Sequence, residues 1–210
     1  SLFLVADGMG GHQAGEVASR KAIEVVRDLV AKGTLLEQAV VRANEEVYSL
    51  AESDMEYDGM GTTLVAAEFD GLKIKIINVG DSRLYRYRSR ELTQLTVDQT
   101  VAQDLREQGL DHKNGKHIST FEHVLTNALG IQGECGVVVV NDVVQPGDYY
   151  LLCSDGLTGV LDDKQIRKII ARHDGELEGI AQKLLNAALL RAAPDNVSVA
   201  LVHSRLSGKE

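Results

Sequence analysis

Residues 61–96 read GTTLVAAEFDGLKIKIINVGDSRLYRYRSRELTQLT, and this stretch decides the fold class. Runs such as KIKII and RLYRYR alternate with a period of two and are rich in β-branched and aromatic residues. Asp70-Gly71 separates the first two runs by two residues, a tight hairpin signal. Four short strands follow one another, GTTLVAAEF, LKIKIINVGD, RLYRYR and ELTQLT, with connections such as DG and SR. Links this short admit only antiparallel pairing, so the segment reads as a meander.

On either side the period is helical. Ala14 to Lys32 carries Ala18, Ala22, Val25, Val26 and Leu29 on one face, and Gly33 stops it. Thr34, with Glu37 three residues on, reads as a capping box for a second helix whose apolar face runs from Leu36 to Leu50. Downstream, Thr100 with Gln103 opens a short helix ending near Gly109. LDHKNGKHISTFEH (110–123) has no period and reads as a surface excursion. Strands resume as GVVVVNDVVQ (136–145) and YYLLCS (149–154). Asp162 with Gln165 caps a helix through KQIRKIIARH, a further helix spans Glu176 to Ala192, and DNVSVALVH (195–203) is the last strand. The tail SRLSGKE is expected to fray. This order implies an α+β domain over residues 1–210, with antiparallel sheets covered by helices.

With 44% apolar residues, no tryptophan and 4% aromatics, the core must be mostly Val, Leu, Ile and Ala. The net charge of −9 argues against nucleic acid, whose phosphates need a basic face, and against anionic lipid. Cys135 and Cys153 lack metal-ligand spacing, which suits a reducing compartment and predicts a cytoplasmic protein. No signal peptide is visible, and no apolar run approaches the ~18 residues of a membrane span.

Five acids border strands that read as interior: Asp7 after LFLVA, Asp81 after KIKIINVG, Asp98 after LTQLT, Asp155 after YYLLCS and Asp195 before NVSVALV. Asp-Gly is ordinary turn chemistry, and each acid alone reads as no more than a turn residue. Gathered at the strand ends of a common sheet, however, the carboxylates would repel, and hard divalent cations relieve that repulsion with oxygen ligands. A glycine after the acid lets its carbonyl approach an ion. Two such ions can share a hydroxide that attacks phosphorus. The loop GMGGHQAG (8–15) fits neither G-x-G-x-x-G nor the P-loop, so nucleotide binding is the weaker use of it.

VADGMGGHQAGEVAS (5–19), GTTLVAA (61–67), VGDSRLYRYR (79–88), LTVDQT (95–100), LLCSDGLTGVLDD (151–163) and DNVSVALV (195–202) resemble, in order, the motif series of the type 2C metal-dependent protein phosphatases in their bacterial form. The resemblance implies an α-β-β-α sandwich, two antiparallel sheets each flanked by a helix pair. It implies hydrolysis of phosphoserine and phosphothreonine in proteins by a hydroxide bridging two manganese or magnesium ions. Asp7 would bridge both ions, the Gly8 carbonyl would hold the second, and Asp155 and Asp195 the first. Asp98 would join Asp155 at a third ion, while Asp81 is assigned to support of its turn and strands.

Met9 stands where family members reading Asp-Gly-His carry a histidine proposed as general acid; His12 is the nearby substitute, or is structural. Gln99 likewise replaces the usual histidine of LTVDQT. Residues 109–123 match the mobile flap, whose histidines His112, His117 and His123 are expected to be solvated. The family has two further strands upstream, carrying a phosphate-gripping arginine and another acid, so the chain is expected to be N-terminally incomplete. Expected partners are phosphorylated proteins and a serine/threonine kinase, with no nucleic acid and no membrane, and the expected state is a monomer. A non-catalytic pseudophosphatase scaffold and a hydrolase of small phosphate esters are the competing functions.

Overall fold

The computed structural model describes residues 1–10, 12–110, 118–172 and 176–205; the side chains of His12 and Ser119 fall outside that description. In chain order the first elements are β1 (Leu2–Val5), β2 (Gly8–Met9), α1 (His12–Ala31), α2 (Leu36–Ser53), β3 (Gly61–Thr62), β4 (Leu64–Asp70), β5 (Lys73–Val79), β6 (Arg83–Arg88) and β7 (Glu91–Gln94). They are followed by α3 (Val101–Glu107), β8 (Val138–Val143), β9 (Tyr149–Cys153), α4 (Asp155–Thr158), α5 (Asp163–Arg172), α6 (Leu177–Leu189) and β10 (Val199–His203).

Two four-stranded antiparallel sheets form, ordered β1-β4-β5-β8 and β10-β9-β6-β7, with β2 and β3 pairing separately. Strand alternation sorts side chains into layers. Leu64 and Ala66 of β4, with Ile77 and Val79 of β5, face α1 and α2, whose Ala18, Ala22, Ala39 and Ala43 permit close packing. Their neighbours Val65, Ala67, Ile74 and Ile76 meet Leu84, Tyr150 and Leu152 between the sheets. Tyr85, Tyr149 and Leu151 point the other way, onto Ile166, Ile170, Ile180 and Leu184 of α5 and α6. The result is the α-β-β-α sandwich. Three of its largest fully buried side chains are tyrosines, so the core is more aromatic than the composition suggests.

The expected meander is divided. β4–β5 and β6–β7 are hairpins of different sheets, and Gly80 to Ser82 carries the chain across. Gly80 has φ +92°, and a Cβ there would sit 2.8 Å from the Thr63 methyl. Thr63 Oγ1 and Ser82 Oγ share a buried hydrogen bond of 2.7 Å, while Asn78 donates to the carbonyls of Gly80 (3.2 Å) and Val97 (2.9 Å). This crossing seats residue 81 where the two sheets meet.

The capping boxes divide as well. Asp162 and Gln165 bond reciprocally, side chain to backbone, at 2.8 and 3.1 Å. Glu37 does not cap α2: its carboxylate pairs with Lys75 of β5 at 2.8 Å, and Leu35 is the cap residue, with no side-chain cap bond.

Candidate metal centre

The antiparallel registers bring the acids together. β9 ends at Cys153 beside the start of β10 at Val199, and Arg83 at the start of β6 pairs with Cys153 from the other side. The ends of β1 and β5 and the start of β4 lie together in the other sheet. Asp7 is pinned there through its backbone. Its carbonyl accepts from Thr63 N (2.8 Å) and Thr62 Oγ1 (2.9 Å), and its N–H donates to Thr63 Oγ1 at 3.1 Å. Ser154 N donates to the Ser198 carbonyl and Ser198 N to Ser154 Oγ, at 3.1 and 3.0 Å, which locks Asp155 to the segment carrying Asp195.

The glycines after the acids have a packing reason that the sequence reading missed. A Cβ on Gly8 would overlap the Gly15 carbonyl, and one on Gly156 would overlap the Asn196 carbonyl. The first contact seats the Asp7 turn on α1; the second holds Asp155 against the Asp195 loop.

Burial pushes the Asp7 carboxyl up to about 7, with the charges of Asp155 and Asp195 and a hydrogen bond to Asp155 adding to the effect. A hollow of about 610 Å³ bordered by Asp7, Gly8, Glu16, Asp195 and Asn196 opens on one side of this cluster. A smaller one of about 210 Å³, bordered by Asp81, Asp98, Glu122, His123 and Asp155, lies on the other. Asp7, Asp155 and Asp195 form no ion pair with a described lysine or arginine; beside Asp155 stands His123, whose Nδ1 is 3.3 Å from Oδ2. Arg83 also borders the second hollow, but there it is paired with Asp98; a cluster of carboxylates in which Asp7, Asp155 and Asp195 have no lysine or arginine partner among the described residues suits hard divalent cations.

On the second side Asp98 borders the hollow but is tied to an arginine: its carboxylate takes a forked pair from Arg83, with contacts of 2.6 to 3.0 Å, and a 2.9 Å bond from Gln94. Asp81 stands with Asp155 instead. It is 8% exposed, and its carboxyl is raised to about 6, first by burial and then by the charges of Asp155 and Asp98. Ligand atoms of Asp81, His123 and Asp155 lie within 4.8 Å of one another, close enough for one cation to touch all three. His123 is exposed, as expected, yet its ring stands beside Asp155, because Val101 N donates to Val124 O (2.8 Å) and Thr126 N to Gln99 O (2.9 Å). The signal for Asp81 was present, since it follows an interior strand as Asp7 and Asp155 do.

Gln99 has a structural use, accepting from Gly80 N at 2.7 Å and from Asn127 Nδ2 at 2.8 Å. His12 opens α1, but its side chain lies outside the described residues, as do residues 111–117 of the expected flap, His112 and His117 among them.

The chain matches the family model described as protein phosphatase 2C over residues 1–191. It is 35% identical to the serine/threonine phosphatase stp of Listeria monocytogenes, over 99% of this chain and 86% of that protein. The crystal structure of the Mycobacterium tuberculosis serine/threonine phosphatase PstP/Ppp superposes with a TM-score of 0.86 at 35% identity, over 97% of this chain and 88% of that one. A structure of the PstP catalytic domain in complex with two manganese ions gives a TM-score of 0.83 at 36% identity, over 95% and 86%.

Proposed function

We infer that this chain, which belongs to the protein phosphatase 2C family, is a metal-dependent serine/threonine protein phosphatase that hydrolyses phosphoserine and phosphothreonine with manganese or magnesium. The observation that carries the placement of the reaction is the convergence of Asp7, Asp155 and Asp195 with no fixed counter-charge among the described residues. Asp7 and Gly8 with Asp155 and Asp195 would hold two ions, and Asp81 with Asp155 and His123 a third. Bound cations supply charge neutralisation for the phosphoryl group and an acidified water.

The chain's own residues do the rest. Thr62 and Thr63 fix the Asp7 backbone, so its carboxyl is held in place before any ion arrives. Ser154 and Gly156 set the spacing between Asp155 and the Asp195 loop. Gly8, Asp195 and Asn196 are exposed while Asp81 is buried, so a phosphorylated side chain approaches from the Gly8 and Asp195 side.

The substrates are phosphoproteins, made by a protein serine/threonine kinase, and the chain acts as a cytoplasmic monomer. Both cysteines are free thiols, which supports a reducing compartment. No described helix is long and apolar enough to cross a membrane. The test is hydrolysis of a phosphothreonine peptide with manganese or with chelator, beside Asp155→Asn. Turnover that needs both the metal and Asp155 is expected; manganese binding without turnover would make the chain a scaffold and sink the reading.

A further inference from the structure

A groove of about 930 Å³ runs between α5 and α6 on the outer face of the second sheet. Its floor is aliphatic, made of Leu161, Ile169 and Ala187, and its rim carries Leu190 with Lys168, Arg172, Lys183 and Arg191. A second hollow of about 560 Å³ continues over α5, sharing Lys168 and Arg172 and adding Arg90, Lys164 and Arg167. Among the described residues, no acid borders either hollow. Seven of the 22 lysines and arginines therefore gather here, on a chain whose net charge is −9.

We propose that this groove docks an acidic, amphipathic segment of another protein, its apolar side chains on the aliphatic floor and its carboxylates on the basic rim.

Three observations favour that occupant. First, none of the seven cations forms an ion pair with a described residue, whereas Arg20, Arg27, Arg42, Arg83, Arg86 and Arg88 all do. Arg167 and Arg191 reach only backbone carbonyls, of Arg90 at 3.3 Å and Ala187 at 3.0 Å. The cluster repels itself, and an incoming acidic segment relieves that repulsion. Second, Leu189 and Leu190 at the end of α6 are 67% and 87% exposed, apolar surface at the open end of a charged groove. Third, the recess between two helices matches an amphipathic segment laid lengthwise. A lipid surface fits a recessed floor less well. Single-stranded nucleic acid needs aromatic platforms, and none borders the groove.

The groove shares no bordering residue with the hollows of the metal centre, so the proposal stands apart from the phosphatase reading. The probe is a fluorescein-labelled peptide of about 18 residues, five helical turns, with Leu on one face and Glu elsewhere. Its control is a permuted peptide of identical composition with no apolar face. Titrated against the full chain and followed by anisotropy, the amphipathic peptide is expected to bind saturably and more tightly than the permuted one. Lys168→Glu with Arg172→Glu should weaken it about tenfold, with hydrolysis of para-nitrophenyl phosphate unchanged. Lys168→Gln with Arg172→Gln, which keeps the helix without adding acid, should weaken it less, and Leu190→Ser should weaken the amphipathic peptide alone. Equal binding of the two peptides, or unchanged binding by all three variants, would overturn the proposal. So would tighter binding to phosphatidylserine vesicles than to the peptide, abolished by the same charge reversal, which would assign the face to a membrane.

Discussion

Replacing Asp7 with asparagine should make the metal-free protein more stable while abolishing its response to manganese. The folded pKa of Asp7 is raised from 3.8 to about 7 by burial and by its acidic neighbours. Between those two values the folded state holds a proton that the unfolded chain has released, so stability falls as pH rises through the window, and above about 7 the full cost is present. A shift of about three units has a ceiling of about 4 kcal/mol. Asp7 keeps some solvent contact and shares a proton with Asp155, so about 2 kcal/mol is the realistic cost. For a chain of 210 residues that corresponds to a Tm gain of about 4–8 °C for Asp7→Asn in chelator at pH 8.

The assay is thermal unfolding of both proteins at pH 8 and pH 5, each with chelator and with excess manganese. The gain in chelator should shrink at pH 5, where the aspartate is mostly protonated already. Manganese at 100 times its Kd should stabilise the unaltered chain by about 2.7 kcal/mol and leave the variant nearly unmoved. A variant no more stable than its parent in chelator at pH 8 would refute the account of Asp7 as an uncompensated buried charge. A gain of equal size at both pH values would refute it too, because the effect would then be packing and not ionisation.

Gly156→Ala forces a methyl into the Asn196 carbonyl and should cost about 1–3 kcal/mol, with calorimetric manganese affinity falling about tenfold as the Asp155 and Asp195 segments part. Asp98→Asn leaves the Arg83 guanidinium without its charge partner and should cost about 2–4 kcal/mol in urea unfolding, with the number of manganese ions bound unchanged. Asp81→Asn should do the reverse, removing one weakly bound ion while raising metal-free stability above pH 6, where the buried carboxyl is charged. Asn44, which is 1% exposed, donates to the Gln132 and Gly133 carbonyls and accepts from Gly130 N. Asn44→Ala should lower the urea midpoint by an amount equivalent to about 2–4 kcal/mol, since the Gly130 N–H is left buried without its partner.

What the sequence made legible was whatever depends on period and neighbours. The alternation of Leu64, Val65, Ala66 and Ala67 already separates a helix-facing from a sheet-facing side, and the Asp162–Gln165 box is a local pattern that forms locally. Thr34 and Glu37 make the same pattern, yet Lys75, 38 residues away, takes the carboxylate, and no local rule sees that distance. The crossing at Gly80 to Ser82 was hidden for a related reason. VGDSR is as short as a hairpin turn, and only the Thr63–Ser82 bond and the φ of Gly80 separate a crossing from a turn.

The different surroundings of Asp81 and Asp98 follow from that crossing. Antiparallel pairing of Tyr85 with Gln94 carries β7 back towards Arg83, so the arginine side chain meets Asp98 and not Asp81, its neighbour two residues away. With Arg83 taken, Asp81 stays buried beside Asp155 without an ion pair to a described lysine or arginine, which favours recruiting a cation. Two aspartates with equal sequence credentials are thus told apart by one guanidinium. The same physical criterion supports the proposed ligands Asp7, Asp155 and Asp195: among the described residues, none of them has a lysine or arginine of its own.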